Sequence, residues 1–398
     1  MKSLKLSTNL LLILSLIFVS LMFAACQNAS EEEEFEDEIR EENNQEEHEE
    51  DKKHAEHGDV EKEDAEHAEE DKEHIDEELS MELVHDPSAF FLHNEKLIAY
   101  GSGQLGKPLE GVSINLSSRT YGEYIGVFGE GVPGWTKSVQ QWNPTGEFDA
   151  PAILDGKFVF YTVYDETEGK IQDTIGVTEN IGTPENPDWK DLGPIVSSYD
   201  EQLTTPRAMD PSVIFDSDGK LYLIFGSHAT GIVITELDSS TKLLKQNPQL
   251  PNTLDYPERF IRIAQHMSDE GEESEIEAPY LYKNGEYYYL FTNWGGCCSG
   301  VNSTYYITIG RSKDITGPYI DNNGKDLVNG GGDIFLDAEG RYIGPGHAGI
   351  SKLSGNTFVF TYHFYDGQDK GISKLAARSL SWSNDGWPVL GEHLLDQK

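Results

Sequence analysis

The sequence predicts an all-β chain, a five-bladed β-propeller behind a disordered acidic N-terminal tether, and three observations lead there. Strand-like segments recur at a nearly fixed spacing from residue 81 onward. Each repeat opens on a short corner, most of them an acid close to a proline, and runs into two apolar, aromatic-rich stretches around a turn. No long amphipathic helix separates the repeats, so the period belongs to sheets.

The repeats read HDPSAFFLHNEKLIAYGSG from His85, FDAPAILDGKFVFYTVYD from Phe148, MDPSVIFDSDGKLYLIFGSH from Met209, IEAPYLYKNGEYYYLFTNW from Ile276, and GPGHAGISKLSGNTFVFTYHFYDG from Gly344. Their prolines, Pro87, Pro151, Pro211, Pro279 and Pro345, stand 64, 60, 68 and 66 residues apart. Four repeats carry a turn pair between their strands: Asp155-Gly156, Asp218-Gly219, Asn284-Gly285 and Gly355-Asn356. Such pairs supply the positive φ that tight hairpins need. The first repeat uses the weaker pair Asn94-Glu95. A unit of about 65 residues suits a four-stranded blade with its loops, and radial repetition protects the sheet edges. Residues 81–398 therefore form the predicted propeller. The corner recurs once per blade, so the five corners should ring one mouth of a central channel.

The front of the chain reads differently. Lys2 and Lys5 precede the apolar run Leu10–Phe23, and Ala24-Ala25 precede Cys26. Residues 1–25 thus read as an export signal. The run resembles a bacterial lipoprotein signal, in which Cys26 would be lipidated. That resemblance implies an extracytoplasmic protein, lipid-anchored to the cell envelope or cell surface. A plain secretory signal or an uncleaved anchor would put the domain on the same side. Residues 26–80 form an acidic linker, with 27 acidic against 5 basic residues between 31 and 80. So few apolar groups cannot offset chain entropy. His48, His54, His57, His67 and His74 could gather divalent metals, although a solvated spacer is the plainer reading. The net charge of −41 over 398 residues argues against nucleic acid and against anionic lipid headgroups. Three cysteines, Cys26, Cys297 and Cys298, make no disulfide framework.

Chemistry enters through the corners. Asp86, Asp149, Asp210 and Glu277 lie beside corner prolines. Singly, each is an ordinary turn residue whose carboxylate bonds local backbone. Gathered at one channel mouth they would repel one another and raise each other's proton affinity. Glycoside hydrolysis uses such a group: one protonated acid for the leaving oxygen and one ionised carboxylate for water or the anomeric carbon.

The segments HDPS, AMDPSVIFDSDGKLYLIFGS, IEAPYLYKNGEYYYLF, CCSGVNSTYYITIGRSKDITGPY, GPGH and SLSWSNDGWP resemble glycoside hydrolase family 43, in particular its endo-α-1,5-L-arabinanases, over residues 82–392. The resemblance implies an inverting enzyme on arabinose-containing polysaccharide, with Asp86 as general base, Glu277 as general acid, and Asp210 raising and orienting that acid. It also implies that His347, in GPGH, is a ligand near a calcium ion in the channel, with no organic cofactor and a monomeric domain. Substrate contacts are expected from Phe148, Asp149, Arg207, Trp294, Cys297 and Cys298. Where arabinanases usually carry Trp-Ala-Pro-Asp, this chain has Phe148-Asp149-Ala150-Pro151; where they have Asn-Ala-Ile, it has Arg207-Ala208-Met209. Phe148 would then offer a ring face to a sugar, and Arg207 a donor. Cys297-Cys298 could be packing, free thiols or a vicinal disulfide. In the run Tyr287–Tyr289, alternation puts Tyr287 and Tyr289 on one face and Tyr288 on the other. The family's exo-α-L-arabinofuranosidases, β-xylosidases and exo-galactanases remain alternatives, as does a carbohydrate-binding lipoprotein without catalysis. Retention of all three carboxylates argues against that last reading. The chain lacks the Asn-Asp-Pro-Asn-Gly block of fructan-processing propellers.

Overall fold

Among the described residues, twenty antiparallel strands, grouped four by four in chain order, build five sheets. The protein was analysed as a computed structural model that describes residues 84–395, apart from 103–109, 127–147, 166–171, 185, 200–205, 246–259 and 268–273. The expectations for the export signal, Cys26 and the acidic linker fall outside the described residues.

Blade one holds β1 (Phe91–His93), β2 (Lys96–Gly101), β3 (Glu110–Asn115) and β4 (Thr120–Gly126). Blade two holds β5 (Asp149–Leu154), β6 (Phe158–Asp165), β7 (Gln172–Asn180) and β8 (Trp189–Tyr199). Blade three holds β9 (Ser212–Phe215), β10 (Leu221–Phe225), β11 (Ile232–Leu237) and β12 (Ile261–Ala264). Blade four holds β13 (Ile276–Asn284), β14 (Tyr287–Trp294), β15 (Tyr306–Ser312) and β16 (Asp333–Leu336). Blade five holds β17 (Tyr342–Lys352), β18 (Phe358–Asp366), β19 (Ile372–Trp382) and β20 (Pro388–His393). The five repeats legible in the sequence are these five sheets.

The turns behave largely as their residues dictate. Asn94 and Glu95 both take positive φ, 45° and 67°, as a two-residue hairpin requires. In blade four Asn284 pairs with Tyr287, so the loop is Gly285-Glu286 rather than the predicted Asn284-Gly285. Gly285, at φ 59°, supplies the left-handed residue there.

Core residues lie between neighbouring blades. Phe160, Ile175 and Val177 of blade two pack with Leu223, Phe225 and Val233 of blade three. Leu97, Ala99 and Val112 of blade one pack with Val359, Leu375 and Ala377 of blade five, which closes the ring. Each fully buried large aliphatic or aromatic side chain contributes about 1.5–3 kcal/mol. Sheets stacked in this way need no disulfide, consistent with the cysteine count.

One strained residue recurs at the start of every blade. Asp86, Ala150, Asp210, Ala278 and His347 take φ of 46°, 47°, 56°, 51° and 54°. Residues other than glycine rarely enter that region, and each costs about 1–3 kcal/mol unless its surroundings hold it. Four of the five precede Pro87, Pro151, Pro211 and Pro279; the fifth precedes Ala348. The equivalent of the corner prolines in blade five is therefore Ala348, not the predicted Pro345.

Candidate active site

Four of the five corners are held by one repeated device. Opposite the residue before each left-handed corner lies a residue near the end of the blade's second strand. His85 faces Ser102, Asp149 faces Thr162, Glu277 faces Asn293 and Gly346 faces His363. The side chain of that second-strand residue then accepts the N–H of the next blade's corner. Ser102 Oγ takes the Ala150 N–H at 2.9 Å, and Thr162 Oγ1 takes that of Asp210 at 3.1 Å. Asn293 Oδ1 takes the His347 N–H at 3.2 Å. His363 Nδ1 takes the Asp86 N–H at 3.1 Å and closes the circle from blade five to blade one.

Blade three breaks the pattern. Its second-strand position is Gly226, whose N–H donates to the Met209 carbonyl. A glycine has no side chain to offer the next corner. The Ala278 N–H therefore donates to Asp210 Oδ2 at 3.0 Å. A Cβ at Gly226 would meet the Gly231 carbonyl oxygen at 2.5 Å, with φ at +140°. The irregular blade thus ties one predicted catalytic acid to the corner that carries another.

Asp86 lies in a basket of histidines. Its Oδ2 is 2.8 Å from His85 Nδ1 and accepts from Ser102 Oγ at 2.5 Å. Its Oδ1 is 2.7 Å from His347 Nδ1, close in distance but not aligned as a hydrogen bond, so the attraction is one of charge. Burial by itself would raise the Asp86 carboxyl, yet His347 and His85 outweigh it and hold Asp86 well below the usual carboxylate range. His363 receives the Asp86 N–H on Nδ1, so its proton sits on Nε2 and the ring is neutral. Burial, aided by the neighbouring His85, keeps His363 from charging. His85 stacks on it with ring centroids 4.1 Å apart. Burial opposes a charge on His85, but Asp86 prevails and raises it well above its ordinary value. An ionised carboxylate between two imidazoles that it draws toward their charged forms suits a general base.

Glu277 sits in a different shell. Its Oε1 accepts from Tyr305 OH and its Oε2 from Ser227 Oγ, both at 2.8 Å. His228 Nε2 stands 3.6 Å from Oε2. Asp210, 6% exposed, is pushed up to about 7 by burial, with Glu277 and Asp86 adding repulsion and His347 opposing. The expectation that Asp210 would stay ionised and raise Glu277 is thus modified. The rise falls on Asp210 itself, with Glu277 beside it adding repulsion.

The other predicted residues divide. Cys297 and Cys298 come to the base cluster as free thiols. Cys298 N–H donates to Tyr365 OH at 2.8 Å, and that hydroxyl also bonds His85 Nε2 at 2.8 Å. A hydrogen bond from Cys297 draws the Cys298 thiol down to about 5, with burial opposing and His85 assisting. Asp149 occupies the position in blade two that Glu277 occupies in blade four.

Three expected sugar contacts have partners within the protein. Phe148 is 2% exposed and packs edge-on against Tyr161 among Ile98, Tyr100 and Val159, so its ring is core and not a platform. Arg207 places its guanidinium on buried Asp173, with Nε to Oδ2 at 3.0 Å and Nη2 to Oδ1 at 3.2 Å. That fork braces the chain before Asp210. Trp294 is buried and one face is covered by His266, 3.7 Å away between centroids and nearly parallel.

His347 was expected near calcium. Its Nδ1 faces Asp86, and its Nε2 faces Asp210 at 3.9 Å. Calcium takes six to eight oxygens. The donors beside Asp86 are chiefly imidazoles, those of His85, His347 and His363. This donor set does not fit calcium, and no step below passes through a metal.

Reasoning from sequence missed Ser102, His85 and His363 around the base, and Ser227, His228 and Tyr305 around the acid. A signal existed for some of them: His85 precedes Asp86, and Ser102 and His363 occupy one repeated position at the end of the second strand.

Residues 132–388 match the family model described as glycosyl hydrolases family 43. The extracellular exo-α-(1→5)-L-arabinofuranosidase ArbA of Cellvibrio japonicus is 35% identical over 269 residues, covering 66% of this chain and 75% of the relative. The extracellular endo-α-(1→5)-L-arabinanase 1 of Bacillus subtilis is 34% identical over 316 residues, covering 78% and 88%. Among solved structures, the GH43 endo-arabinanase from Bacillus licheniformis superposes with a TM-score of 0.64 at 30% identity, covering 77% of this chain and 97% of that one.

Proposed function

The chain belongs to glycosyl hydrolases family 43, and on that premise we propose that it cleaves α-1,5-linked L-arabinofuranose within arabinan, with inversion at the anomeric carbon. The observation that carries this reading is the contrast between two buried carboxyls on one ring of corners. Asp86 is held ionised by His347 and His85, while Asp210 beside Glu277 is pushed up to about 7. The ionised Asp86 then suits the base role, and the acid role falls to Glu277 beside the proton-holding Asp210.

Glu277 gives its proton to the glycosidic oxygen as the bond to the leaving sugar breaks. Asp86 takes a proton from the water that attacks the anomeric carbon from the opposite face. Asp210 accepts the Ala278 N–H, fixes the corner that carries Glu277, and holds a proton within the pair. His85, His347 and Ser102 keep Asp86 ionised and aimed.

The substrate assignment leans on the relatives, whose names agree on the α-1,5 linkage although both exo and endo enzymes occur among them. We adopt endo action because the B. subtilis relative and the B. licheniformis structure both carry it in their names. The C. japonicus and B. subtilis relatives are named as extracellular proteins, in keeping with export and with lipid anchoring at Cys26. The acidic residues 26–80 then serve as a spacer.

Product analysis on linear arabinan, branched arabinan and arabinoxylan tests the reading. Linear arabinan should give a ladder of short oligosaccharides, with both the full chain and a chain beginning at Ser80. Arabinose alone as first product would point to exo action, and xylose-containing products would overturn the substrate.

A further inference from the structure

The geometry points to His228 as the residue that binds the leaving sugar, on the side of Glu277 turned away from the base. This deepens the functional reading above and rests on it.

His228 and Ala229 follow the end of β10, and both are left-handed, at φ 49° and 47°. Two consecutive non-glycine residues in that region store backbone strain. The backbone is clamped there. His228 N–H donates to the Ile276 carbonyl at 2.8 Å, Gly231 N–H to the His228 carbonyl at 2.9 Å, and Ser274 N–H to the Ala229 carbonyl at 2.8 Å. These bonds fix the imidazole beside β13, one residue before Glu277. The side chain is nonetheless 38% exposed, whereas that of Glu277 is 16% exposed. A strained, clamped and open polar side chain at the acid has no packing purpose that accounts for it.

Its direction follows from the two oxygens of Glu277. Oε1 accepts from Tyr305 OH, and the Tyr305 ring lies nearly parallel to that of His363, the neutral histidine of the base cluster. Oε1 therefore looks toward the base. Oε2 accepts from Ser227, and His228 Nε2 stands 3.6 Å from it. In an inverting cleavage the attacked sugar lies between acid and base, and the departing sugar lies beyond the acid. An oxygen that receives the proton at Oε2 would have a neighbouring hydroxyl or ring oxygen of the departing sugar within reach of His228 Nε2. At 3.6 Å the imidazole is too far to be committed to Glu277 as a hydrogen bond, so its Nε2 is available to a sugar.

The test compares two leaving groups on the same protein. Wild type, His228→Ala and His228→Asn in the full chain are assayed on a linear α-1,5-arabino-oligosaccharide and on a nitrophenyl glycoside of the same arabinan segment. The aryl leaving group has no sugar hydroxyls for His228 to bind. His228→Ala should lower kcat/KM on the oligosaccharide at least tenfold more than on the aryl glycoside, with much of the loss in KM. His228→Asn, which restores a donor, should recover part of it. Circular dichroism and Tm check that the variants fold. Equal losses on both substrates, or no loss on either, would overturn the assignment while leaving the arabinanase reading intact. Wild type inactive on both substrates would overturn that reading and this inference with it.

Discussion

The backbone N–H of Ala278 donates to Oδ2 of Asp210 at 3.0 Å, a bond between the corner of blade four and the acid of blade three. In every other blade the equivalent N–H is held by a second-strand side chain: Ser102, Thr162, Asn293 or His363. Gly226 removes that option and leaves the task to the acid. In the proposed mechanism stability and catalysis therefore meet at this bond.

The capping device predicts a structural loss with a catalytic echo. Thr162→Val should leave the buried Asp210 N–H without a partner, which costs about 1–3 kcal/mol. Denaturant unfolding should show the loss, and kcat on arabinan should fall with it because Asp210 shifts. Gly226→Ala should lower Tm for another reason, the clash at the Gly231 carbonyl.

Asp86 and Asp210 should affect stability with opposite signs. The folded state raises Asp210 to about 7, so it binds that proton more tightly than the unfolded chain. Its ionisation weakens folding as pH rises from about 4 to 7. Asp210→Asn should therefore be more stable than wild type at pH 8, by up to about 4 kcal/mol, and equal to it at pH 4. Asp86 is held well below its ordinary value, so its charge stabilises above about pH 4 and is lost as pH falls through the folded value. Asp86→Asn should be less stable than wild type at pH 7. Thermal melts across pH decide the matter, and shifts of the same sign in both variants would refute the electrostatic account.

Kinetics should separate acid from base. Glu277→Gln should lose activity on arabinan by orders of magnitude but far less on an activated aryl glycoside, whose leaving group needs little protonation. Asp86→Asn should lose turnover on both.

Because the imidazole-rich basket does not fit calcium, thorough chelation should leave Tm within about a degree of the untreated protein. His347→Ala should still cut kcat, since it removes a cation 2.7 Å from Asp86. A large drop in Tm on chelation, reversed by added calcium, would reinstate the ion.

The sequence carried the blades because most repeat a local code, an acid-proline corner and then a hairpin. It carried Asp86, Asp210 and Glu277 because they sit inside that code. It could not place their partners. His363 meets the Asp86 N–H across 277 residues, and Tyr305 meets Glu277 because a separate strand of the same blade returns to the channel. Aromatic residues misled for a related reason. Phe148 and Trp294 have the right chemistry for a sugar platform, but facing blades also fill their gaps with large rings, and burial is invisible in one sequence. The corner of blade five was misplaced by three residues because Ala348 does the work that proline does elsewhere.

In the proposed mechanism Asp86 activates a water on the face opposite the bond that Glu277 helps to break. Proton NMR of the first-formed product, recorded during hydrolysis of α-1,5-arabinan before mutarotation, tests it most directly. The new reducing end should appear first as the β-anomer. Initial appearance of the α-anomer would mean retention, and would contradict the assignment of Asp86 as the base.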